Sequence, residues 1–384
     1  MSRSLPPVGV VLSRLPRPLA GRWVPPRPPA GEMVEGMTST ASPVDFETYG
    51  DYTGRPRFAQ PQTATEFVRP KYPFQGRVTA DGSSGYPAEP GRYHLYVSWA
   101  CPWAHRSAIV RELKGLQQVV SLSAVDPVRD GRGWAFRDGD GHGPDPVNAF
   151  AFLSEAYERT EPGFDGHMSV PVLWDKLSGR IVSNNFPDIT LDLGTAFDQW
   201  ADQAVDTYPQ RLRPQIDELN ERLYRYVNNG VYKCGFAPSQ QAYSTAVTEL
   251  FTLLDELDAR LADRRFLFGD AITESDVRLW VTLVRFDSVY VTHFKANIRR
   301  IVDYPNLWPY TRDLYQHPAF GGTTNLDQIK RHYYTTHPQL NPLRIVPAGP
   351  LLDWNAPPQP PNLPSSLPSS GQFAGETLGE SPEK

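Results

Sequence analysis

The chain has 384 residues, a formal net charge of -5 and only two cysteines. A chain of this length is long enough for two domains with sizeable cores. The acidic balance argues against nucleic acid or an anionic membrane as the main partner, and no apolar run reaches the about 20 residues that cross a bilayer. Two cysteines are too few for a disulfide framework, which predicts a reducing, cytoplasmic location.

The two ends of the chain differ in composition from its middle. The first 36 residues are rich in Pro and Arg, with no acidic residue before Glu32. They fit either an organelle transit peptide or sequence upstream of a start at Met33 or Met37. We predict an N-terminal extension over 1–66, partly disordered, and a disordered Pro- and Ser-rich tail over 346–384.

The first folded region is predicted over 67–200. Alternation, turn signals and helical spacing indicate, in chain order, a strand over 92–99, a helix over 104–116, a strand over 119–125, a hairpin of 169–175 and 181–183, and a short helix from Phe186. Strand, helix, strand, hairpin and helix is the thioredoxin-like order. We therefore expect an α/β thioredoxin-like domain that binds a thiol compound.

The second folded region, 205–345, is predicted to be all-helical. Apolar residues recur every three or four positions from Leu212 to Val227, with Gly230 as a stop, and again from Ser239 onward. Thr273 to Asp276 matches a capping box. The helix that it opens, 277–291, is apolar nearly all round, which is typical of a helix buried in a bundle.

Cys101 is the strongest candidate for a reactive group. Pro102 lacks an amide proton and favours the first helical turn, so Cys101 should stand at the mouth of a helix, just beyond a strand. There the helix dipole and free amides lower a cysteine pKa, and His105 and Arg106 would add positive potential. The alternative is a buried structural cysteine. Cys234 has no such signature and is interpreted as structural.

Cys101 and His105 do not suggest a metal site, because no second pair of ligands stands at a suitable spacing. Pro171 is a second marker, since proline inside a strand pattern forfeits a ladder hydrogen bond unless the local geometry is special. A cis bond would turn the Val170 backbone toward Cys101, where it could pair with an extended thiol peptide. An ordinary edge-strand proline is the alternative.

Six segments carry motifs that occur together in a known family. They are Cys101–Arg106, Gly133–Phe136, Val170–Asp175, Asn229–Ala237, Arg285–Tyr290 and Ile329–Tyr334. Together they resemble the glutathionyl-hydroquinone reductases, the Xi-like class of the glutathione-transferase superfamily. The likeness runs from about Phe67 to Pro350, most of the folded chain.

The resemblance implies a role for each matched position. Cys101 would be the nucleophile, Trp134 a glutathione contact, and Val170 with Pro171 the strand that pairs with the thiol backbone. Tyr232 would be the proton donor. Tyr290 and Tyr333 would help to lower the cysteine pKa. The resemblance also implies a homodimer formed through the helical domain.

The implied reaction has two thiol steps. The Cys101 thiolate attacks the sulfur of a glutathionyl-hydroquinone and releases the aromatic part, whose ring carbon is protonated. A second thiol molecule then resolves the mixed disulfide.

Asn185 and Phe186 depart from the family pattern. They stand where the family has a Glu-Ser pair that holds the γ-glutamyl end of glutathione. Phe186 offers no hydroxyl, and Pro187 removes a backbone donor. We therefore hypothesise a different low-molecular-weight thiol, with mycothiol as the best candidate and glutathione as the alternative. Arginine greatly outnumbers lysine, which is typical of GC-rich genomes, including those of mycothiol-using actinobacteria.

Three other functions stay open at this point. A thiol-conjugating transferase would normally activate its thiol with Tyr or Ser, whereas this chain offers Cys101 and Pro102. A dehydroascorbate-type reductase would use the same nucleophile. A noncatalytic binding module that kept the fold is favoured by Asn185 and Phe186, but not by Cys101 together with the three tyrosines.

Overall fold

The computed structural model of the protein describes residues 40–52, 67, 69 and 72–356, all within one compact unit that spans 36–384. The predicted transit or upstream segment lies outside these residues. So do 53–66 of the predicted N-terminal extension and the tail from 357 onward. The predicted boundaries between the two folded regions stay predictions.

The first part of the structure is a small sheet with helices. Its elements are α1 (Phe46–Tyr49), β1 (Tyr93–Val97), α2 (Pro102–Leu113), β2 (Ser121–Ala124), α3 (Ser154–Thr160), β3 (Val172–Asp175), β4 (Arg180–Ser183) and α4 (Phe186–Thr195). The strand order is β2-β1-β3-β4. β1 runs parallel to β2 and antiparallel to β3, which forms a hairpin with β4. The predicted thioredoxin-like order is confirmed.

The central strand β1 explains why this sheet forms. All five of its residues are buried, so that both of its faces are covered, as expected for a strand in the middle of a layered domain. Leu95 lies opposite Leu122 on one side and Leu173 on the other. α2 packs against α4 and also against the helix Glu274–Arg285 of the second part, so that it joins the two parts of the molecule.

The second part consists of helices. They are α5 (Arg213–Arg222), α6 (Gly230–Gly235), α7 (Gln240–Arg260), α8 (Glu274–Arg285), α9 (Leu307–Gln316), α10 (Pro318–Gly321) and α11 (Leu326–Thr336). Two wider π-helical turns, Leu223–Asn228 and Phe286–Tyr290, follow α5 and α8. No described helix is both long and apolar enough to span a membrane.

The predicted helix signals were right in two places and wrong in one. Ser239 caps α7 by accepting a hydrogen bond from the Ala242 amide, and the capping box of Thr273 and Asp276 is present. Gly230 does not stop a helix but begins α6. A Cβ atom there would lie 3.8 Å from the Leu250 side chain, an ordinary contact distance, so the packing of α6 on α7 does not itself require a glycine.

The predicted disorder after residue 345 is wrong for residues 346–356. The Lys330 ammonium donates hydrogen bonds to the carbonyls of Pro347 and Ala348. The Trp354 ring is buried against Tyr315, with centroids 4.7 Å apart. A Pro-rich composition predicted disorder, but one aromatic anchor and two carbonyl contacts order this stretch.

Candidate active site

Cys101 stands between β1 and α2, as predicted. It is the N-cap of α2, with extended backbone angles, and Pro102 occupies the first helical position. The thiol is half-buried and free. Its Sγ atom lies 3.5 Å from the carbonyl oxygen of Val170, in hydrogen-bonding distance for sulfur.

The electrostatic surroundings of Cys101 differ from the prediction. Burial raises the pKa of the Cys101 thiol above its ordinary value. The backbone amides of Ala104 and Trp103, and then the charges of Arg285 and Arg69, lower this pKa, but they do not outweigh burial. The predicted influence of the helix amides is therefore present, whereas the predicted net lowering of the pKa is wrong.

His105 does not add the positive potential that was predicted. The ring is fully buried, and burial lowers the pKa of His105 well below its usual range. Nη1 of Arg285 lies 3.0 Å from Nδ1 of His105. Because arginine only donates, Nδ1 accepts, and Nε2 donates to the hydroxyl of Thr323 at 2.9 Å. His105 is thus a neutral, structural histidine.

Arg285 supplies the positive charge near Cys101 that was expected of His105 and Arg106. Its guanidinium donates from Nη2 to the carbonyl of Trp99 at 2.9 Å and from Nε to that of Ala100 at 3.1 Å. These are the two residues before the nucleophile, so that α8 holds the turn in which Cys101 lies. Arg106, also predicted to act on Cys101, instead donates to Asn228 at 2.6 Å.

Cys101 lines a cavity of about 550 Å³ between the sheet part and the helical part. The cavity wall is mostly aromatic. Its ring-bearing residues are Tyr52, Phe67, Tyr72, Trp103, Trp134, His167, Tyr232, Phe236, His332, Tyr333 and His337. A cavity of this size and lining is suited to a small aromatic compound together with part of a thiol.

Three of the predicted thiol-binding residues meet at this cavity or beside it. The Val170–Pro171 peptide bond is cis, which is one of the two alternatives that the sequence left open, and Val170 lines the cavity. Pro171 is not among the lining residues. Trp134 lines the cavity and stacks on His332, with centroids 5.1 Å apart. Within the described part of the chain, the Nε1 donor of Trp134 has no hydrogen-bond partner.

The three predicted tyrosines form a chain of hydroxyls. The hydroxyl of Tyr333 lies 2.6 Å from that of Tyr232 and 3.0 Å from that of Tyr290. Tyr232 and Tyr333 line the cavity, whereas Tyr290 is fully buried behind them. Burial raises the pKa of all three phenols. They stay protonated at neutral pH and can donate protons.

Asn185 and Phe186 lie at a second cavity of about 470 Å³, which shares Arg69 and Tyr72 with the first. Asn185 is the N-cap residue of α4, but its side chain accepts no hydrogen bond from the backbone of the first turn, and its amide donates to the Asp188 carboxylate at 2.7 Å. The Phe186 ring is buried against Trp103, with centroids 4.5 Å apart.

Comparisons with known proteins agree with this architecture. Residues 100–196 match the glutathione S-transferase N-terminal domain, and residues 240–313 match the C-terminal domain. Glutathionyl-hydroquinone reductase YqjG of Escherichia coli is 46% identical over 302 residues, which cover 77% of this chain and 92% of the relative. Glutathionyl-hydroquinone reductase PcpF of Sphingobium chlorophenolicum is 45% identical over 284 residues, with shares of 74% and 90%.

A solved structure gives the same result. The glutathione-bound structure of YqjG is similar with a TM-score of 0.72 and 47% identity, over 74% of this chain and 95% of that one. The chain belongs to the glutathionyl-hydroquinone reductases of the glutathione S-transferase superfamily. The family resemblance and the predicted α/β thioredoxin-like and all-α parts are thereby confirmed.

In this glutathionyl-hydroquinone reductase, sequence reasoning missed three arginines near Cys101. Arg285 opens one of the matched motifs, but only the tyrosine in that motif was given a role. Arg69 and Arg129 line the cavity without belonging to any matched motif. Only the fold brings them to Cys101, and no periodicity in the sequence could have indicated them. Among the described residues, no group of three or more His, Cys, Asp or Glu is placed to hold a metal ion.

Proposed function

We propose that this protein removes a thiol group from aromatic hydroquinone conjugates through a mixed disulfide on Cys101. The observation that carries the proposal is the position of Cys101, at the mouth of α2 and in the wall of the same aromatic cavity as Tyr232 and Tyr333. The Cys101 thiolate attacks the sulfur of the conjugate. A sulfur–sulfur bond forms, the bond from sulfur to the ring breaks, and the ring carbon takes the electron pair and a proton.

Tyr232 supplies that proton. It lines the cavity, its pKa is raised by burial, and Tyr333 is hydrogen-bonded to it, so the phenol is a neutral donor. Tyr290, behind Tyr333, completes the hydroxyl chain without lining the cavity.

The second step returns the enzyme to its starting state. A second thiol molecule attacks the mixed disulfide and leaves as a disulfide with the thiol taken from the conjugate. Cys101 regains its proton. The sulfur of the incoming thiol and the former thioether sulfur leave together as a disulfide, and the ring has gained hydrogen in place of the sulfur substituent.

The thiol in this scheme is a low-molecular-weight thiol other than glutathione, with mycothiol as our candidate. Phe186 packs on Trp103 and offers no hydrogen bond, and the Asn185 amide is already bonded to Asp188. A charged amino-acid end of glutathione would lack the two side-chain partners that the Glu-Ser pair supplies in the family, at about 1–3 kcal/mol for each unmet group. The relative YqjG was solved with glutathione bound, which keeps glutathione as the competitor.

The thiol is tested by turnover of matched conjugates with each thiol. We expect turnover with mycothiol and little with glutathione. The double variant Asn185→Glu, Phe186→Ser should improve kcat/KM for glutathione by at least about 30-fold, since it adds two side-chain partners at about 1 kcal/mol or more each. The single variant Asn185→Gln is the control. Efficient glutathione turnover by the parent protein, with none for mycothiol, would contradict this part of the proposal.

The nucleophile is tested separately. Cys101→Ser should abolish release of the hydroquinone, because an alkoxide cannot form the mixed disulfide. Cys234→Ala is the matched control, since that cysteine is buried on α6 in the helical part. If Cys101→Ser kept the parent rate, the proposed mechanism would be wrong. Mass spectrometry of the parent protein, stopped during turnover, should detect the thiol adduct on Cys101.

We also propose a homodimer and a cytoplasmic location. The dimer rests on the family resemblance, and the location on two cysteines that are both free in the structure. Sedimentation velocity tests the dimer directly.

A further inference from the structure

Arg129 is the feature of the cavity that the proposed reaction does not use. It lines the cavity with Cys101. Among the described residues it makes no hydrogen bond and no ion pair, and its buried Nε atom has no partner. An arginine keeps its charge at neutral pH and carries five donors in one plane. A cation in this state is an unusual component of a mostly aromatic wall.

The Arg129 guanidinium lies against two aromatic rings of the cavity wall. Its Cζ atom lies 4.4 Å from the ring centroid of Tyr52 and 4.4 Å from that of Trp134. Such stacking uses the π faces of the group and leaves its in-plane N–H donors free. The two rings hold the guanidinium in one orientation, so a partner that meets its donors would find them already ordered.

None of the described acidic side chains that line the cavity or neighbour Arg129 in sequence is available as that partner. Asp51 is the one carboxylate among the described lining residues, and it is paired with Arg344 at 2.6 Å. The next residue, Asp130, is paired with Arg132 at 2.6 Å. Asp126 is paired with Arg137 at 3.0 Å. The charge on Arg129 is therefore not compensated by the described protein.

The other titratable groups of the cavity do not cancel this charge. Burial, reinforced by the charge on Arg129, lowers the pKa of His332 to about 3 and that of His167 and His337 well below its usual range. All three histidines are neutral at neutral pH. Arg69 adds a second cation on the side of Trp103 and Tyr232. The described lining is net positive, with Arg69 and Arg129 against the single carboxylate of Asp51.

We propose that Arg129, clamped between Tyr52 and Trp134, is a carboxylate subsite of the Cys101 cavity. A carboxylate is the planar anion that a guanidinium edge binds through two parallel hydrogen bonds. This inference rests on the proposed function for its choice of ligands. The carboxylate comes either from a substituent on the hydroquinone ring or from the thiol. Mycothiol has no carboxylate, so with that thiol the aromatic part must supply it.

Equilibrium binding to the parent protein tests the subsite with two matched pairs of ligands. The first pair is 2,5-dihydroxybenzoate and its neutral isostere 2,5-dihydroxybenzamide. The second pair is glutathione and glutathione with its glycine carboxylate amidated. Isothermal titration calorimetry at pH 7.5 gives the ratio of Kd values within each pair. We expect the acid of at least one pair to bind about tenfold more tightly than its amide, as one charge-assisted contact allows.

Two variants assign that preference to Arg129. In Arg129→Met the ratio should fall to within about twofold of one. In Arg129→Lys, which keeps the charge and loses the planar fork, it should be intermediate. Arg331→Gln, which removes an exposed arginine paired with Asp327 on α11, is the control and should keep the parent ratio. A preference in the first pair alone places the carboxylate on the aromatic part, and one in the second pair places it on the thiol.

Two results would overturn the subsite. One is a parent protein that binds acid and amide equally in both pairs, a test that needs no variant to fold. The other is a preference that survives intact in Arg129→Met or Arg129→Lys. None of these measurements breaks a bond or involves the sulfur of Cys101. The subsite and the Cys101 mechanism can therefore fail independently.

Discussion

The Sγ atom of Cys101 lies 3.5 Å from the carbonyl oxygen of Val170, the residue before the cis proline. A carbonyl oxygen accepts a hydrogen bond from the protonated thiol and has nothing to offer the thiolate. This contact therefore favours the neutral form of the thiol, as burial does. Two influences favour the thiol, whereas helix amides, Arg285 and Arg69 favour the thiolate.

The raised pKa of Cys101 predicts how its reactivity depends on pH. Below the pKa of a thiol, the thiolate fraction rises about tenfold for each pH unit. We expect the rate of alkylation by iodoacetamide, and kcat/KM with it, to rise by about this factor between pH 7 and pH 8. Mass spectrometry of the modified protein measures the alkylation rate, and steady-state kinetics measures kcat/KM.

The variant Cys101→Ser supplies the background for the alkylation experiment, because only Cys234 remains in it. Burial raises the pKa of Cys234 to about 12, so alkylation there should be slow throughout. A parent rate that is already constant from pH 6 to pH 8 would mean that the thiol is ionised. The lowering influences would then outweigh burial after all.

The hydroxyl chain predicts unequal effects of removing its three members. Tyr232→Phe deletes the proposed proton donor in the cavity and should lower kcat by about 100-fold, at the low end for a lost general acid. Tyr290→Phe removes a hydroxyl that does not line the cavity and should cost less than about tenfold. Tyr333→Phe removes a hydrogen-bond partner from both Tyr232 and Tyr290, and its loss in kcat should lie between those of the other two variants.

The folded state of each tyrosine variant is the control for these rates. Each substitution removes one or two hydrogen bonds and should lower the free energy of unfolding by about 1 kcal/mol per bond. Urea unfolding measures this loss. If Tyr290→Phe lowered kcat as strongly as Tyr232→Phe, the assignment of the donor to Tyr232 would not stand.

The local elements around Cys101 could be predicted because their causes are local. Pro102 fixes the start of α2, and the buried apolar run of β1 places a strand directly before it. The proline between two valines marked Pro171 as a special position, but the sequence left a cis bond and an ordinary edge-strand proline as equal alternatives. These signals lie within a few residues of the features that they predict.

The electrostatics of the site could not be predicted, because they depend on contacts between distant residues. Arg285 reaches the carbonyl of Ala100 across 185 positions of sequence. The pKa of Cys101 depends on how completely the packed chain excludes water from the thiol. His105 was expected to be charged because it lies one turn after Cys101, but the fold buries it. Arg129 has no sequence pattern that indicates the cavity.

His94 predicts acid sensitivity of the fold. It is fully buried in β1, with its ring nitrogens 2.8 Å from the hydroxyls of Ser121 and Ser123, and burial lowers its pKa to about 3. An unfolded histidine has a pKa near 6.5, so between these values the unfolded chain binds a proton that the folded protein does not. Stability is therefore fully present above pH 6.5 and falls as the pH decreases.

The expected loss from His94 is about 1.4 kcal/mol for each pH unit below 6.5. In His94→Gln, the amide can still form hydrogen bonds with both serine hydroxyls. The free energy of unfolding should then change less steeply with pH, by the contribution of one proton. The variant should not abolish the slope, because His332 behaves in the same way. Urea unfolding between pH 4.5 and pH 8 measures both proteins. An unchanged slope in the variant would show that His94 does not titrate between the folded and unfolded states.

The contacts of Trp354 predict that the stretch over 346–356 contributes to stability. Its ring packs 4.7 Å from Tyr315 and 5.0 Å from Trp308, and Gln316 donates a hydrogen bond to its carbonyl at 3.0 Å. Removing a buried tryptophan side chain costs about 3–5 kcal/mol in a rigid core. We expect Trp354→Ala to approach the lower end of that range in urea unfolding. Leu351→Ala, at a side chain that is 96% exposed, is the matched control and should change stability by less than about 0.5 kcal/mol. Equal unfolding curves for the two variants would mean that α9 keeps its stability without the tail.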